Sequence, residues 1–370
     1  MVNPLPKEVY LKRSHQRVPD VRGDYFRDQT AIIHSMPFRR LKHKTQVFFA
    51  PENDHVCTRI EHVMHVATIA ATICKGLNSS GWDLDVELAY ATGLGHDLGH
   101  APFGHAGEEI LDRKLAGIGS FIHEVNSYRV VEHLANGGRG LNLTYGVKDG
   151  MINHNGEHFE QYLRPVAREN DLEAMRDRDS LPSSYEGCIV RFADKIAYLG
   201  RDIEDAKIAG FIKTADIPRQ ILKELGNTNG EIINSLVIDA IERSRQSDAI
   251  CFSDEKFEVV ERLIEFNREY IYNHPKIEAY KVYGQRIIAA LFDYLMACYR
   301  RHGPDFAAYQ EGFTRLERAF GRHLEEMADY YRRSAAPPEL MVTDYVAGMT
   351  DLYALECMKQ ITLPAPISFR

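Results

Sequence analysis

The sequence predicts an all-α fold, and three observations carry that expectation. The long segments between turn clusters place apolar residues at spacings of three and four rather than in alternation, most clearly over 59–78, 186–210, 254–272 and 276–301. The loop-like clusters PENDHV, NSSGW, NGGRGLN, DRDSLPSS and SAAPPE are short, and no internal repeat or low-complexity tract separates them. The 370 residues are 44% apolar and 26% charged, enough for a sizeable core, with no apolar run of the length a membrane span needs. The expected organisation is one unit over 1–370, with an N-terminal segment 1–58, a helical core 59–210 and a helical C-terminal part 211–370.

The start, MVNPLPKEVYLKR, lacks the apolar stretch of a signal peptide, and the six cysteines never form a CxxC pair. A reducing cytoplasm with thiols as core filler is the expectation. Net charge is -8, so an anionic ligand would need a local basic cleft.

Helix 59–78 carries one apolar stripe, Ile60, Val63, Ala67, Ala70, Cys74 and Leu77, and a second beside it, Val66, Ile69 and Ile73. It should be buried on much of its circumference. His62 heads the second stripe and points inward, either as a core histidine bonded to a backbone carbonyl or as a ligand; His65 falls on the polar stripe with Glu61, Thr68 and Thr72 and reads as surface.

The next segment, DVELAYATGLGHDLGHAPFGHAGEE, reads as a helix that breaks at Gly95 to Gly99, because three glycines and then Pro102 fit poorly in a helix interior. His96 and Asp97 fall at that break. Adjacent residues of a regular helix diverge by about 100°, so an irregular end is where the pair can converge on one ion. Imidazole with carboxylate suits Mn, Fe, Co, Zn or Mg. A second helix from Gly104 to Leu115 sets His105 and Glu108 at i and i+3, where the carboxylate can hold the imidazole tautomer. The glycines let backbone N–H groups approach an anion such as phosphate. Ten of the sixteen histidines lie between 55 and 158.

Helix 186–210 has a core stripe of Ile189, Phe192, Ile196, Leu199, Ile203 and Ala206. Arg191, Asp194, Tyr198, Asp202 and Asp205 share another face, which by periodicity alone reads as solvated with intrahelical ion pairs. The C-terminal part reads as helices. Asp344, Gly348 and Asp351 are expected to pack and cap, and HLEEMADYYRR to form a solvated or subunit-facing surface.

The stretches RDQTAIIHSMPFRRLKHKTQVF, TRIEHVMHV, HDLGHAPFGHAGE, HEVNSYRVVEHL, RFADKIAYLGRDIEDA and DYVAGMTDLYA, in this order, resemble the HD-domain phosphohydrolases, and among them the dGTPase-like deoxynucleoside triphosphate triphosphohydrolases. The resemblance implies an HD helical fold with a mononuclear metal site in its core, 59–210 being the metal-binding part. It implies the ligands His62, His96, Asp97 and Asp194, holding Mn or Mg first, with Fe, Co, Zn or Ni as alternatives. It further implies catalytic roles for His105 with Glu108 and for His123 with Glu124. Arg59, His100 and Lys195 match triphosphate contacts, Tyr198 and Asp202 deoxyribose contacts, and Gln46 and Tyr272 sugar or base neighbours. The match departs at Thr30, Ala31 and Pro37, and at Glu124 and Asn126, where many relatives carry Asn and Gln; neither departure touches the ligand set.

The implied reaction is hydrolysis of a dNTP at its α-phosphate to deoxynucleoside and triphosphate. The implied partners are the dNTP substrate, a nucleotide effector and further copies of the chain as a dimer, tetramer or hexamer, without a membrane. Two alternatives stand beside this: another HD phosphohydrolase such as a 5′-nucleotidase, and a non-catalytic sensor that answers to nucleotides or single-stranded nucleic acid.

Overall fold

A computed structural model describes residues 1–48, 56–155 and 159–363, so the expected loop at 51–55 and the histidines at 55 and 158 lie outside the described residues. The all-α expectation holds: among the described residues the sole sheet is a two-residue antiparallel pair, β1 (Tyr162–Leu163) with β2 (Ile250–Cys251).

Thirteen helices position the site and its support. They are α1 (Asp24–Ile33), α2 (Met36–Arg40), α3 (Arg59–Asn78), α4 (Val86–Gly95), α5 (His105–Lys114), α6 (His123–Arg129), α7 (Tyr145–Ile152), α8 (Tyr185–Ile208), α9 (Asn229–Ser244), α10 (Asp254–Asn267), α11 (Pro275–His302), α12 (Arg315–Glu326) and α13 (Pro338–Ala347). A last helix, α14 (Asp351–Thr362), follows α13 after a three-residue corner.

Local chemistry sets the starts of the central helices. Thr58 and Glu61 form a reciprocal capping box at α3, the Asp85 carboxylate accepts from the first amides of α4, and Ser184 caps α8 through the Gly187 amide. The helix expected over 254–272 continues from α10 into a π-helical turn at Arg268–Tyr272.

Helix α3 packs against α4 and α8, and α8 in turn against α9. Val66, Ile69, Ile73 and Leu77 of α3 meet Ile189, Phe192, Ile196 and Leu199 of α8 in one apolar cluster. Val63 and Ala67 join α1, α4 and α7 in a second. A third cluster unites α5 with α11 through α14. All six cysteines are free and buried, as core filler would be.

Three expectations are corrected. The face of α8 that reads as solvated is covered: Arg191, Asp194, Asp202 and Asp205 are buried, because α8 runs through the centre of the fold. His65 is half-buried rather than on the surface. HLEEMADYYRR is amphipathic, with Leu324, Met327 and Tyr331 buried in the third cluster. No helix among the described residues is long and apolar enough to cross a membrane.

Candidate active site and metal centre

Helix α4 stops at Gly95, and the turn 96–99 swings His96 and Asp97 toward α3 and α8. Gly99 is required by close approach: a Cβ there would lie 2.1 Å from the Ser127 nitrogen. Ser127 secures the turn from α6. Its Oγ accepts from the Gly99 amide at 2.9 Å and donates to the His96 carbonyl at 2.6 Å, while the Asn126 side chain donates to the Gly99 carbonyl at 2.7 Å.

The turn brings the expected ligand set together. His62 Nε2 lies 2.9 Å from Asp194 Oδ1 and 3.9 Å from Asp97 Oδ2; His96 Nε2 lies 3.5 Å from Asp97 Oδ1 and 3.7 Å from Asp194 Oδ1. All four side chains are buried. His62 therefore answers to a carboxylate, not to the carbonyl its periodicity allows.

His96 supplies the test of whether these residues fit a divalent cation. Its Nδ1 lies 2.8 Å from the Gly93 carbonyl, which fixes the proton there and leaves Nε2 as a lone pair. That Nε2 is buried without a hydrogen-bond partner and faces two carboxylate oxygens. Acceptors facing acceptors need a cation between them, and two imidazoles with two carboxylates are a donor set for a divalent metal. The protein's own groups partly hold the arrangement: burial opposes ionisation of Asp97, yet His100, in hydrogen-bond contact with it, and the Arg59 guanidinium keep it well below the usual carboxylate range. Arg59 donates to Asp97 Oδ2 at 2.6 Å.

Beside this centre lies a cavity of about 350 Å³, whose walls include Gln46, Arg59, His62, Asp97, His100, His105, His123, Asp194, Tyr198, Asp202 and Tyr272. Most expected substrate contacts thus share one space. Gln46 Oε1 is buried there without a partner among the described residues. Tyr272 donates to Asp202 at 2.5 Å, and burial raises the Asp202 carboxyl to about 7. Lys195 is not among the lining residues; its ammonium donates to the Asn155 carbonyl at 3.3 Å, and burial lowers it to about 8.

Gly104, with φ +57°, starts α5 at the cavity wall, and a Cβ there would stand 3.1 Å from the Arg59 guanidinium. His105 follows, 65% exposed, with Nδ1 3.5 Å from Glu108. Glu108 holds His123 more closely, at 3.0 Å, and Glu124 lies 3.2 Å from the same Nδ1. Burial would make His123 neutral, but the charges of Glu124 and Glu108 raise it to about 9. Its ring stacks on His100 at 3.8 Å, and His100 Nε2 lies 3.1 Å from Asp97.

Sequence reasoning missed four contributors. His154 lines the cavity, its Nδ1 bonded to the Met151 carbonyl at 2.6 Å and its Nε2 3.9 Å from Asp97; burial lowers it to about 4. The density of histidines up to 158 was the available signal. Arg178 bridges Glu124 at 2.8 Å and Glu108 at 2.7 Å from a loop with no pattern to flag it. Phe103 and Tyr280 form an aromatic wall, their rings 5.9 Å apart.

Residues 59–199 match the HD domain model and 250–360 the phosphohydrolase-associated domain. A deoxyguanosinetriphosphate triphosphohydrolase-like protein of Caldanaerobacter subterraneus subsp. tengcongensis is 38% identical over 94% of this chain and 87% of its own length. Proteins with the same description from Desulfatibacillum aliphaticivorans and Clostridium perfringens are 34% and 33% identical, over 98% and 95% of this chain and 94% and 91% of theirs. With its HD turn, its buried histidine–aspartate centre and this agreement along nearly the whole chain, the protein belongs to the HD-domain family of deoxyguanosinetriphosphate triphosphohydrolase-like hydrolases.

Proposed function

We propose that the protein hydrolyses deoxynucleoside triphosphates at the α-phosphorus, releasing a deoxynucleoside and intact triphosphate. The observation that carries this reading is the continuity of one cavity from the histidine–aspartate centre to the Tyr272–Asp202 pair. A metal held by His62, His96, Asp97 and Asp194 would supply Lewis-acid polarisation of a phosphoryl oxygen and a more acidic water.

The chain's own residues do the rest. Arg59 offers a guanidinium at the cavity wall for the phosphate tail, where charge-assisted bonds counter the overall charge of -8. Asp202 and Tyr272 present a carboxyl and a phenol suited to a sugar hydroxyl, and Gln46 brings an unused acceptor. Water oxygen bonds to phosphorus as the bond to the 5′-oxygen breaks, and the proton the water sheds passes to solvent, from which His105 is recharged. His105, oriented by Glu108, delivers the proton to that leaving oxygen, and protonated His123 lends positive charge behind it.

Incubation with each dNTP, GTP and ATP, with Mg²⁺ or Mn²⁺, singly and mixed, followed by ³¹P NMR, tests this. Tripolyphosphate as product, lost in Asp97→Ala, is expected. Orthophosphate or pyrophosphate would move the activity to another HD phosphohydrolase, and bound nucleotide without product would make the protein a sensor. His105→Ala should cost about 10²- to 10⁴-fold in kcat; full turnover would remove His105 from the mechanism.

A further inference from the structure

The C-terminal part reaches the catalytic cavity from behind. Helix α13 ends at Ala347, and the corner 348–350 leads into α14, whose first residue is Asp351. Asp351 is buried, and its two oxygens face different loops: Oδ2 accepts from the Thr45 amide at 2.9 Å and Oδ1 from the Phe103 amide at 3.0 Å. Buried Lys44 crosses the same junction, donating to the Ala347 carbonyl at 3.0 Å and to the His100 carbonyl.

Both loops lie on the cavity. One carries Thr45 and Gln46, the other His100, Phe103 and Gly104. Phe103 has φ +63°, a left-handed conformation that a non-glycine residue keeps only where its surroundings over-determine it. The Asp351 bond to its amide is such a restraint.

We propose that Asp351 and Lys44 are positioning residues that latch the corner 347–351 onto the two cavity loops, setting Gln46, His100 and Phe103 at the nucleotide's distance. This rests on the proposed nucleotide hydrolysis. The metal ligands hang from α3, the turn 96–99 and α8, and Asp351 touches none of them. Loss of the latch should therefore weaken handling of the nucleotide while leaving the affinity for metal in place, a separation that general unfolding would not give.

The test compares wild type, Asp351→Asn, Lys44→Met and the double variant. Asp351→Asn leaves one acceptor oxygen where two backbone amides need one each, and Lys44→Met keeps side-chain length without a donor. Steady-state kinetics on the dNTP cleaved by wild type, Mn²⁺ binding by calorimetry and hydrogen exchange are read together. Expected are a fall of about ten- to a hundred-fold in kcat/KM, expressed mainly in KM, with Mn²⁺ affinity retained. The double variant should lose less than the product of the single losses, because one latch is broken twice. Faster exchange at the Thr45 and Phe103 amides in Lys44→Met gives a reading even if Asp351→Asn does not fold. Unchanged KM and exchange in either folded variant, or equal losses of metal and nucleotide affinity, would overturn the latch. Wild type that cleaves no dNTP would instead overturn the function, with the exchange comparison still deciding the latch.

Discussion

His123 is buried against Glu108, Glu124 and the ring of His100, and the two carboxylates outweigh desolvation to raise it to about 9. Its positive charge should then persist across neutral pH, with kcat/KM falling as pH rises through about 9. Glu124→Gln removes one anion, so the imidazolium is less favoured and the alkaline limb should move to lower pH; a limb that stays in place would separate His123 from the rate. The same shift has a stability side. A folded-state value above the ordinary histidine value of about 6.5 contributes stability in full below about 6.5, and that contribution is lost as pH rises through about 9.

The turn between α4 and α5 depends on α6 for its shape. Ser127→Ala would remove both the acceptor of the Gly99 amide and the donor to the His96 carbonyl inside the core. Unsatisfied buried groups of this kind cost about 1–3 kcal/mol each, so the variant should unfold at lower denaturant concentration and bind Mn²⁺ more weakly. An unchanged denaturation midpoint would show that the turn holds its shape without the Ser127 hydroxyl. Helix α8 shows how an element's environment changes its meaning. Its Arg191–Asp205 face has the period of a solvated surface, yet buried Arg191 pairs with half-buried Glu160, and Asp194 with His62 in the interior.

At the scale of the molecule, the candidate metal centre joins residues 62, 96, 97 and 194, and its fit to a cation rests on a histidine lone pair facing carboxylates. Chelation should lower the thermal midpoint and Mn²⁺ restore it, since a ligand bound only by the folded state at a thousand times its Kd contributes about 4 kcal/mol. A midpoint indifferent to chelation of fully loaded protein would count against these ligands. The helix bounds, the inward His62 and the break at Gly95 were legible because periodicity and glycine act locally. The pairing of Glu108 with His123, the bridge by Arg178 and the two-loop grip of Asp351 were not, because each depends on segments brought together only by the complete fold.

The separation of 306 positions from Thr45 to Asp351 also has a meaning in time. At roughly 5–20 residues per second of synthesis, Thr45 is added to the chain about 15 to 60 s before Asp351. From the synthesis of Asp194 onward the nascent chain contains every candidate metal ligand, yet the wall that would grip a nucleotide stays unfastened until Asp351 is made. On the proposed function and latch, a growing chain would not handle nucleotide until translation is nearly over.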